Sequence, residues 1–435
     1  MIRVEKQQVT KESSQFKQID HLCFLSKNMY NYGNYIIRQK FIETTKEKEE
    51  GIRSSAIWIR YNELDKELIS TKQPDYFALP NNTSQKVLQQ LDKNWKSFFV
   101  SIKDWKRNPH KYKGIPKLPK YKDKKNGRNE VIFTANQFRV KNGFIHFPKK
   151  AGLDPIKTGI DLMVCKLNQI RLVPCTNSMY KIEIVYDKPN DDKIDHSEGE
   201  DNLLGIDIGI NNLMTLTSNK VGFTPIIIKG RQLKSVNQYF NKIKSKLQSE
   251  LALQYPNRHT SNRINKLTIK RNNKVDDYIH KATCIVKQIC LDNNISKIVV
   301  GLNKQWKTDI NIGKQNNQNF VGIPHSRMIE MLVYKLGEIG CEVIVREESY
   351  TSQASALDLD FIPTYNSKNE GNFTFSGKRI KRGLYKTKDG ILLNADVNGS
   401  YNILRKEFGD AVMPTDRGLI LNPISIYVDV NKNKH

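Results

Sequence analysis

The sequence predicts a chain of several domains, α+β in its first half and α/β in its second. Three observations carry this. The 435 residues exceed one domain at a prior of ~150 residues each. Apolar residues recur at helical spacing from about 12 to 106, with strand-like segments before and after. From 203 onward, strands of buried type alternate with amphipathic helices.

The first half is justified element by element. Residues 1–10 read as a short strand. Leu22, Leu25, Met29 and Tyr30, then Ile57, Ile59, Leu64 and Leu68, then Val87, Leu88, Leu91, Trp95, Phe98 and Phe99 fall on helix faces. The pattern breaks at Tyr76 to Asn82, around Pro80. This predicts a helical domain over 11–106. The segments VIFTANQFRV, GFIHFP, IRLVPC and MYKIEIVYD are β-branched or aromatic and end at Gly, Pro or Asn. They predict a small β-barrel or sheet over 1–10 and 107–190, with the helices as an insertion. Residues 191–202 are acidic, turn-rich and poor in apolar residues, and read as an exposed linker.

Composition narrows the function classes. Apolar residues at 38% are enough for packed cores, so wholesale disorder is excluded. No run of ~18 apolar residues and no apolar leader is seen, so the expected compartment is the cytoplasm, in association with the nucleoid. The 71 Lys+Arg against 45 Asp+Glu give a net charge of +26. A soluble protein this basic usually has a polyanionic partner, and nucleic acid fits better than a membrane surface. Residues 101–150 carry 15 basic and 3 acidic side chains, close to half of the net charge. Within them Lys103, Trp105, Lys106, Arg107, Lys111, Tyr112, Lys113, Lys117, Lys120, Tyr121 and Lys122 interleave cations with aromatic rings along a segment of three prolines. Such a segment can contact phosphates and stack on bases, so these residues are candidates for nucleic-acid contact. The six cysteines have no CxxC spacing, and no HExxH or HxxxH pair exists.

The second half carries the chemistry. In LLGIDIGINNLMTLTS, 203–218, a single acid, Asp207, lies inside an apolar strand between Gly205 and Gly209. A buried Asp is costly unless paired or bound to a cation. A basic helix pair over 229–270, broken near Pro256, precedes an amphipathic helix with His280, which reads as packing rather than metal ligation. The strand KIVVGLN, another helix and the strand CEVIVREESYTS follow. Glu347 and Glu348 end that last strand, where βα folds place active groups. Asp396 opens a final helix in LLNADVNGSYNIL, where it is either a cap or a third carboxylate. Three carboxylates from separated segments that meet at a sheet edge make a site for two Mg²⁺ ions and phosphodiester hydrolysis.

GIDIGINNLMTLTS, the Arg231, Leu233, Ser235 helix, HKAT, IVVGLN, EESYTSQAS and NADVNGSYNIL together resemble the TnpB/OrfB family of transposon-encoded RNA-guided DNA endonucleases, relatives of type V CRISPR effectors. The resemblance covers nearly the whole chain, including the basic proline segment at 113–121. It implies a wedge-type β-barrel around a helical recognition lobe, then a RuvC-like (ribonuclease-H-like) nuclease domain over 203–425 and a tail at 426–435. It implies Asp207 and Asp396 as metal-binding catalytic residues, with guide RNA and double-stranded DNA as partners and no membrane; the oligomeric state stays open. Arg231, Lys378 and Arg379 join the nucleic-acid candidates.

Two departures from the family pattern stand out. Gly301 occupies the usual place of the second-motif glutamate, so the acid is expected from the neighbouring strand, as Glu348 with Glu347 as the alternate. Ala354 and Leu357 stand where zinc-ribbon cysteines would be. No zinc is expected, and 353–391 is a metal-free remnant, a basic loop or a disordered insertion. A nuclease-silent RNA-guided repressor and a DNA-strand-transferring transposase remain alternative readings. An actin-like ATPase is weaker, for want of a second phosphate-binding glycine loop.

Overall fold

A computed structural model describes residues 2–176, 179–189, 201–302, 322–364, 373–414, 416 and 418–428. The acidic linker falls mostly outside the described residues. The chain divides into two compact units, Met1–Pro189 and Asn190–His435, of mixed α and β structure.

In the first unit, β1 (Ile2–Thr10) pairs along its whole length with β7 (Met179–Asp187). Strand β7 pairs in turn with β6 (Lys166–Thr176), and β6 with β2 (Val131–Thr134). Strands β3 (Arg139–Lys141), β4 (Phe144–His146) and β5 (Ile156–Lys157) form a second sheet. Among the described residues the edges β1 and β2 do not pair with each other, so the strands make open sheets rather than the closed barrel expected. Between β1 and β2 run α1 (Phe16–Glu49), α2 (Tyr61–Ser70), α3 (Pro74–Ala78) and α4 (Asn81–Arg107). Ile19, Leu22, Met29 and Ile37 of α1 and Leu88, Leu91 and Trp95 of α4 share one core with Phe133, Ile170 and Ile182 of the sheet. Trp95 is fully buried, and its indole N–H donates to Asn34 Oδ1 at 3.0 Å, which satisfies the polar atom.

The second unit is built on a six-stranded sheet of β8 (Asn202–Ile208), β9 (Asn212–Ser218), β10 (Ile226–Lys229), β11 (Ile295–Gly301), β12 (Glu342–Arg346) and β16 (Ile424–Ile426). Its order is β12-β11-β8-β9-β10-β16, with β8, β9 and β10 antiparallel and β11 and β12 parallel to β8. Strand β16 lies across the expected start of the tail. Helix α5 (Arg231–Gln254) precedes α6 (Asn262–Asn293), which runs unbroken where the sequence suggested two helices. No proline or glycine interrupts 262–293, and the Ser261 side chain caps its start by accepting from Ile264 N–H. The basic-to-apolar shift near 275 marks where the helix enters the core, since Val275, Ile279, Ala282 and Val286 are buried. With α7 (His325–Gly337), α6 covers one face of the sheet; α8 (Ala395–Phe408) covers the other with Val397, Tyr401 and Leu404.

Segment 353–391 is folded in its described part. Strands β13 (Lys378–Lys381), β14 (Leu384–Lys386) and β15 (Leu392–Asn394) make a small antiparallel sheet running into α8. Two carboxylates clasp it. Asp358 accepts from Ser355 Oγ (2.6 Å), Ser376 Oγ (3.1 Å) and Lys388 N–H (2.9 Å). Asp360 accepts from Ser355 N–H (2.8 Å) and Ser376 N–H (3.1 Å). Burial pushes the Asp358 carboxyl up, but the bonds from Ser355, Lys388 and Ser376 outweigh it and hold it below the usual range. Hydrogen bonds to a charged acceptor contribute about 2 kcal/mol. Asp358→Ala is therefore expected to loosen this segment, read as faster amide exchange over 376–391. The clasp is fully present above the ordinary aspartate pKa and lost as pH falls through the lowered one.

Candidate active site

On β8, Leu204, Ile206 and Ile208 face the α6/α7 core, while Leu203 packs toward α8. Alternation therefore turns Gly205 and Asp207 toward α8 as well. Two glycines make the approach possible. A Cβ at Gly205 would lie 2.6 Å from Ser400 O and 2.7 Å from Leu404 Cγ. A Cβ at Gly399 would lie 2.9 Å from Asp207 Oδ2, so the carboxylate fills the space above that glycine. Ser400 Oγ donates to Gly205 O at 2.9 Å and meets Thr217 Oγ1 at 2.9 Å, tying α8 to β8 and β9.

Asp396 lies in the first turn of α8 but is not its cap. Asn394 is, accepting from Asp396 N–H (2.9 Å) and Val397 N–H (3.3 Å). The Asp396 carboxylate is left to accept from Asn212 Nδ2 at 2.7 Å and to face Arg379 Nη2 at 3.5 Å.

The two glutamates diverge. Glu347 pairs with Lys406 Nζ at 2.5 Å, and that lysine side chain is 5% exposed and also donates to Ser349 O and Pro363 O. Glu348 instead lines a cavity of about 230 Å³ together with Asp207, Asp396, Asn212, Thr215 and Arg379. Strands β11 and β12 run parallel with Gly301 opposite Arg346, two residues before Glu348. A Cβ at Gly301 would come within 2.7 Å of Glu348 Oε2. The Glu348 carboxylate thus occupies the space into which a side chain at 301 would project. The following segment is stapled to α8 by buried amides: Asn398 Nδ2 donates to Ala354 O (2.7 Å), and Asn402 Nδ2 to Thr351 O (2.9 Å).

The electrostatics are those of crowded acids. Burial, then the charges of Asp396 and Glu348, push Asp207 well above the usual carboxylate range, with Arg379 pulling it back. Burial, then Glu347, push Glu348 up to about 7, against Lys406. Three carboxylate sets of this kind supply the oxygen ligands that Mg²⁺ prefers, and a cation relieves their repulsion. Among the described residues no three His, Cys, Asp or Glu side chains already close around one point. Asp396 is held toward Asn212 and Arg379 instead.

A second cavity of about 510 Å³ adjoins the first, sharing Gly209, Asn212, Arg379 and Asp396, and its wall adds Lys229, Arg231 and Arg382. Lys229 Nζ donates to Asn212 Oδ1 at 3.2 Å, so Asn212 links a lysine to Asp396. Burial, then Arg231, lower the Lys229 pKa. Of the candidates for nucleic-acid contact, Arg379 thus faces Asp396, Arg231 lines the adjoining cavity, and Lys378 is exposed on β13. Lys103, Trp105, Lys106 and Arg107 lie on the last turns of α4 in the first unit. Lys111 and Tyr112 fold back on Asp104, whereas Lys117, Lys120, Tyr121 and Lys122 line a separate cavity of that unit, and Lys113 is exposed. His280 is exposed on α6 and lines neither cavity of the second unit.

Sequence reasoning missed Asn212, Lys229 and Arg382. Asn211-Asn212 reads as a turn, and Arg382 as one more charge in a basic run; only the hairpin next to Asp207 hinted at Asn212.

Two family models match the chain. One, OrfB_IS605, probable transposase, covers residues 183–307 and so Asp207. The other, the Cas12f1-like TNB domain, covers 325–403 and so Glu348 and Asp396. No curated protein sequence matches. Among solved structures, a Cas12f1–sgRNA–target DNA complex aligns at 15% identity over 92% of this chain and 98% of that one, with a TM-score of 0.33. The mini-RNA-guided endonuclease CRISPR-Cas phi3 aligns at 10% identity over 95% and 92%, TM-score 0.46. C2c1 of Alicyclobacillus acidoterrestris with single-guide RNA aligns at 8% identity over 91% and 70%, TM-score 0.36. The resemblance read from the motifs is borne out by these two matches: residues 183–307 are similar to the OrfB_IS605 family and residues 325–403 to the Cas12f1-like TNB domain.

Proposed function

We propose that this protein is an RNA-guided DNA endonuclease of a transposable element, hydrolysing DNA phosphodiesters at a RuvC-type site. The observation that carries the reading is the meeting of Asp207, Glu348 and Asp396, from three separated segments, at one cavity beside a wall of cations. The order β10-β9-β8-β11-β12, with its antiparallel first three strands, is that of ribonuclease-H-like folds and supports it. On this reading 203–425 is the nuclease domain, 11–106 the recognition lobe, and 1–10 with 107–190 the wedge, joined by 191–202. The protein works in the cytoplasm on nucleoid DNA, and among the described residues no helix is long and apolar enough to cross a membrane.

Asp207, Glu348 and Asp396 would hold two Mg²⁺ ions. When bound, such ions activate water and neutralise charge on the phosphate. The chain's own residues do the rest. Lys229, Arg231, Arg379 and Arg382 draw the DNA strand's phosphates to the cavity. Asn212 fixes the orientation of Asp396. Arg379, 3.5 Å from Asp396, balances the charge of that carboxylate until a phosphate takes the guanidinium over. Lys406 holds Glu347 aside, so a single glutamate faces the site. Sequence recognition passes to base pairing with the guide, while the protein reads a short duplex motif beside the target.

Binding through phosphates is expected to weaken by orders of magnitude between ~50 and ~200 mM salt. Sequencing the RNA that copurifies with the full chain tests the guide. One discrete species with a constant and a variable part is expected; random cellular RNA alone would argue against a dedicated guide.

A further inference from the structure

The segment 115–125 has no helix or strand, yet it is fastened to α1. Lys27 Nζ donates to Lys124 O (2.9 Å), Asn31 Nδ2 to Lys122 O (2.9 Å), Asn34 Nδ2 to Pro119 O (3.0 Å) and Arg38 Nη2 to Pro119 O (2.6 Å). Lys122 N–H donates back to Asn31 Oδ1 at 2.8 Å. A proline-stiffened strap with no ladder of its own is thus held in one shape by a helix. Fixing its shape in advance lowers the ordering cost of any ligand it binds.

Between this strap and helices α1 and α4 lies a cavity of about 420 Å³. Its chemistry has two halves. Lys117, Lys120 and Lys122 supply cations, and no carboxylate lines it. Tyr30, Phe98 and Tyr121 supply rings. Tyr121 remains 44% exposed although the Arg38 guanidinium lies against its ring at 4.7 Å, so part of the ring is open to a partner. Tyr30 is buried, with its hydroxyl accepting from Asn94 Nδ2 at 3.1 Å; it serves as wall.

We propose that this cavity binds one unpaired nucleotide, with its base against Tyr121 and Phe98 and its phosphate on Lys117 and Lys120. The inference deepens the nucleic-acid reading above and rests on it. A flat aromatic anion matches both halves of the lining, since every base has a π-face and ring stacking is indifferent to sequence. A base inside a duplex already has both faces covered, so only an unpaired one can enter. The Tyr121–Arg38 pair extends the stack with a guanidinium. Asn94, Ser97 and Ser101 on the cavity wall offer hydrogen bonds to the base edge or sugar.

The test uses the full chain carrying Asp207→Ala, in metal-free buffer, so that nothing is cut. Single-stranded probes of about a dozen nucleotides, in ribose and deoxyribose forms, carry 5-iodouridine for photo-crosslinking. Adducts on the peptide holding Tyr121 or on Phe98 are expected. Adding Tyr121→Ala should weaken binding roughly tenfold to a hundredfold, while Tyr121→Phe should not. Abasic probes should lose the same factor. Lys117→Gln with Lys120→Gln should flatten the salt slope by about 1.4. A ribose-only effect assigns the site to RNA, and an equal effect in both assigns it to either strand; both support the cavity. Tight binding that Tyr121→Ala leaves unchanged, with adducts elsewhere, overturns the cavity and spares the nucleic-acid reading. Failure of the chain to bind any probe overturns both.

Discussion

Glu348→Gln is expected to lower DNA cleavage at least about a hundredfold, to the level of Asp207→Ala, while Glu347→Gln keeps most of it. Removing one charged group that stabilises a transition state typically costs 10²–10³-fold. Glu348 faces Asp207 and Asp396 across the cavity, whereas Glu347 is spent on Lys406. The price of Glu347→Gln is paid in stability, because Lys406 is 5% exposed and loses its ion-pair partner. Its unfolding temperature should fall, and its cleavage per folded molecule should survive at low temperature. A companion experiment follows from Gly301. Because the Glu348 carboxylate and Ile403 Cδ1 fill the space of a side chain at 301, Gly301→Glu combined with Glu348→Ala and Ile403→Val should regain part of the lost cleavage. In the otherwise unaltered chain Gly301→Glu would force Glu348 and Ile403 to move, since a Cβ at 301 would lie 2.7 Å from Glu348 Oε2 and 2.6 Å from Ile403 Cδ1. Equal activity of Glu348→Gln and the unaltered chain would show that the acid at this site is another group.

Asp207→Asn and Glu348→Gln are each expected to stabilise the metal-free protein at pH 8. The folded pKa of Glu348, about 7, lies above the ~4.3 of an unfolded glutamate. Between those values the folded state binds more protons. The stability present below ~pH 4 is therefore lost as pH rises through about 7. Removing the charge restores it: about 2 kcal/mol for Glu348, discounted for its partial exposure, and a change of the same sign for Asp207. Mg²⁺ should raise the unfolding temperature of the unaltered chain at pH 8 and leave Asp207→Asn nearly unmoved. Calorimetry of the metal-free proteins from pH 5 to 8 checks this. Parallel curves for the variants and the parent would mean that neither burial nor neighbouring charge raises these carboxyls in the folded state.

Much of this site could be read from the sequence, for local reasons. Asp207 was visible because one acid interrupts an apolar strand, and Asp396 because it begins an amphipathic helix. That Asn394, not Asp396, caps α8 was not visible, since either side chain can serve in an N-A-D run. A divergence of Glu347 and Glu348 was expected from strand alternation, but β12 stops at Arg346 and both lie just beyond it, so the loop and the Lys406 ion pair, 59 residues away in sequence, set their directions. The open sheets of the first unit show the same limit: strand segments were legible, whereas closure depends on which edges pair. The fold of 353–391 escaped because its clasp is made by Asp358 and Asp360 bonding to backbone and hydroxyl groups, which leaves no spacing signature of the kind that cysteines give.

Guided cleavage tests the account most directly. The RNA copurified with the chain is sequenced, and a plasmid library carrying the match to its variable end beside randomised flanks is incubated with the complex and Mg²⁺. Cutting only of plasmids that hold the match, next to one short flanking motif, and loss of cutting in Asp207→Ala are expected. Cutting that ignores the match, or joining of a donor end to the plasmid in place of cutting, would contradict it.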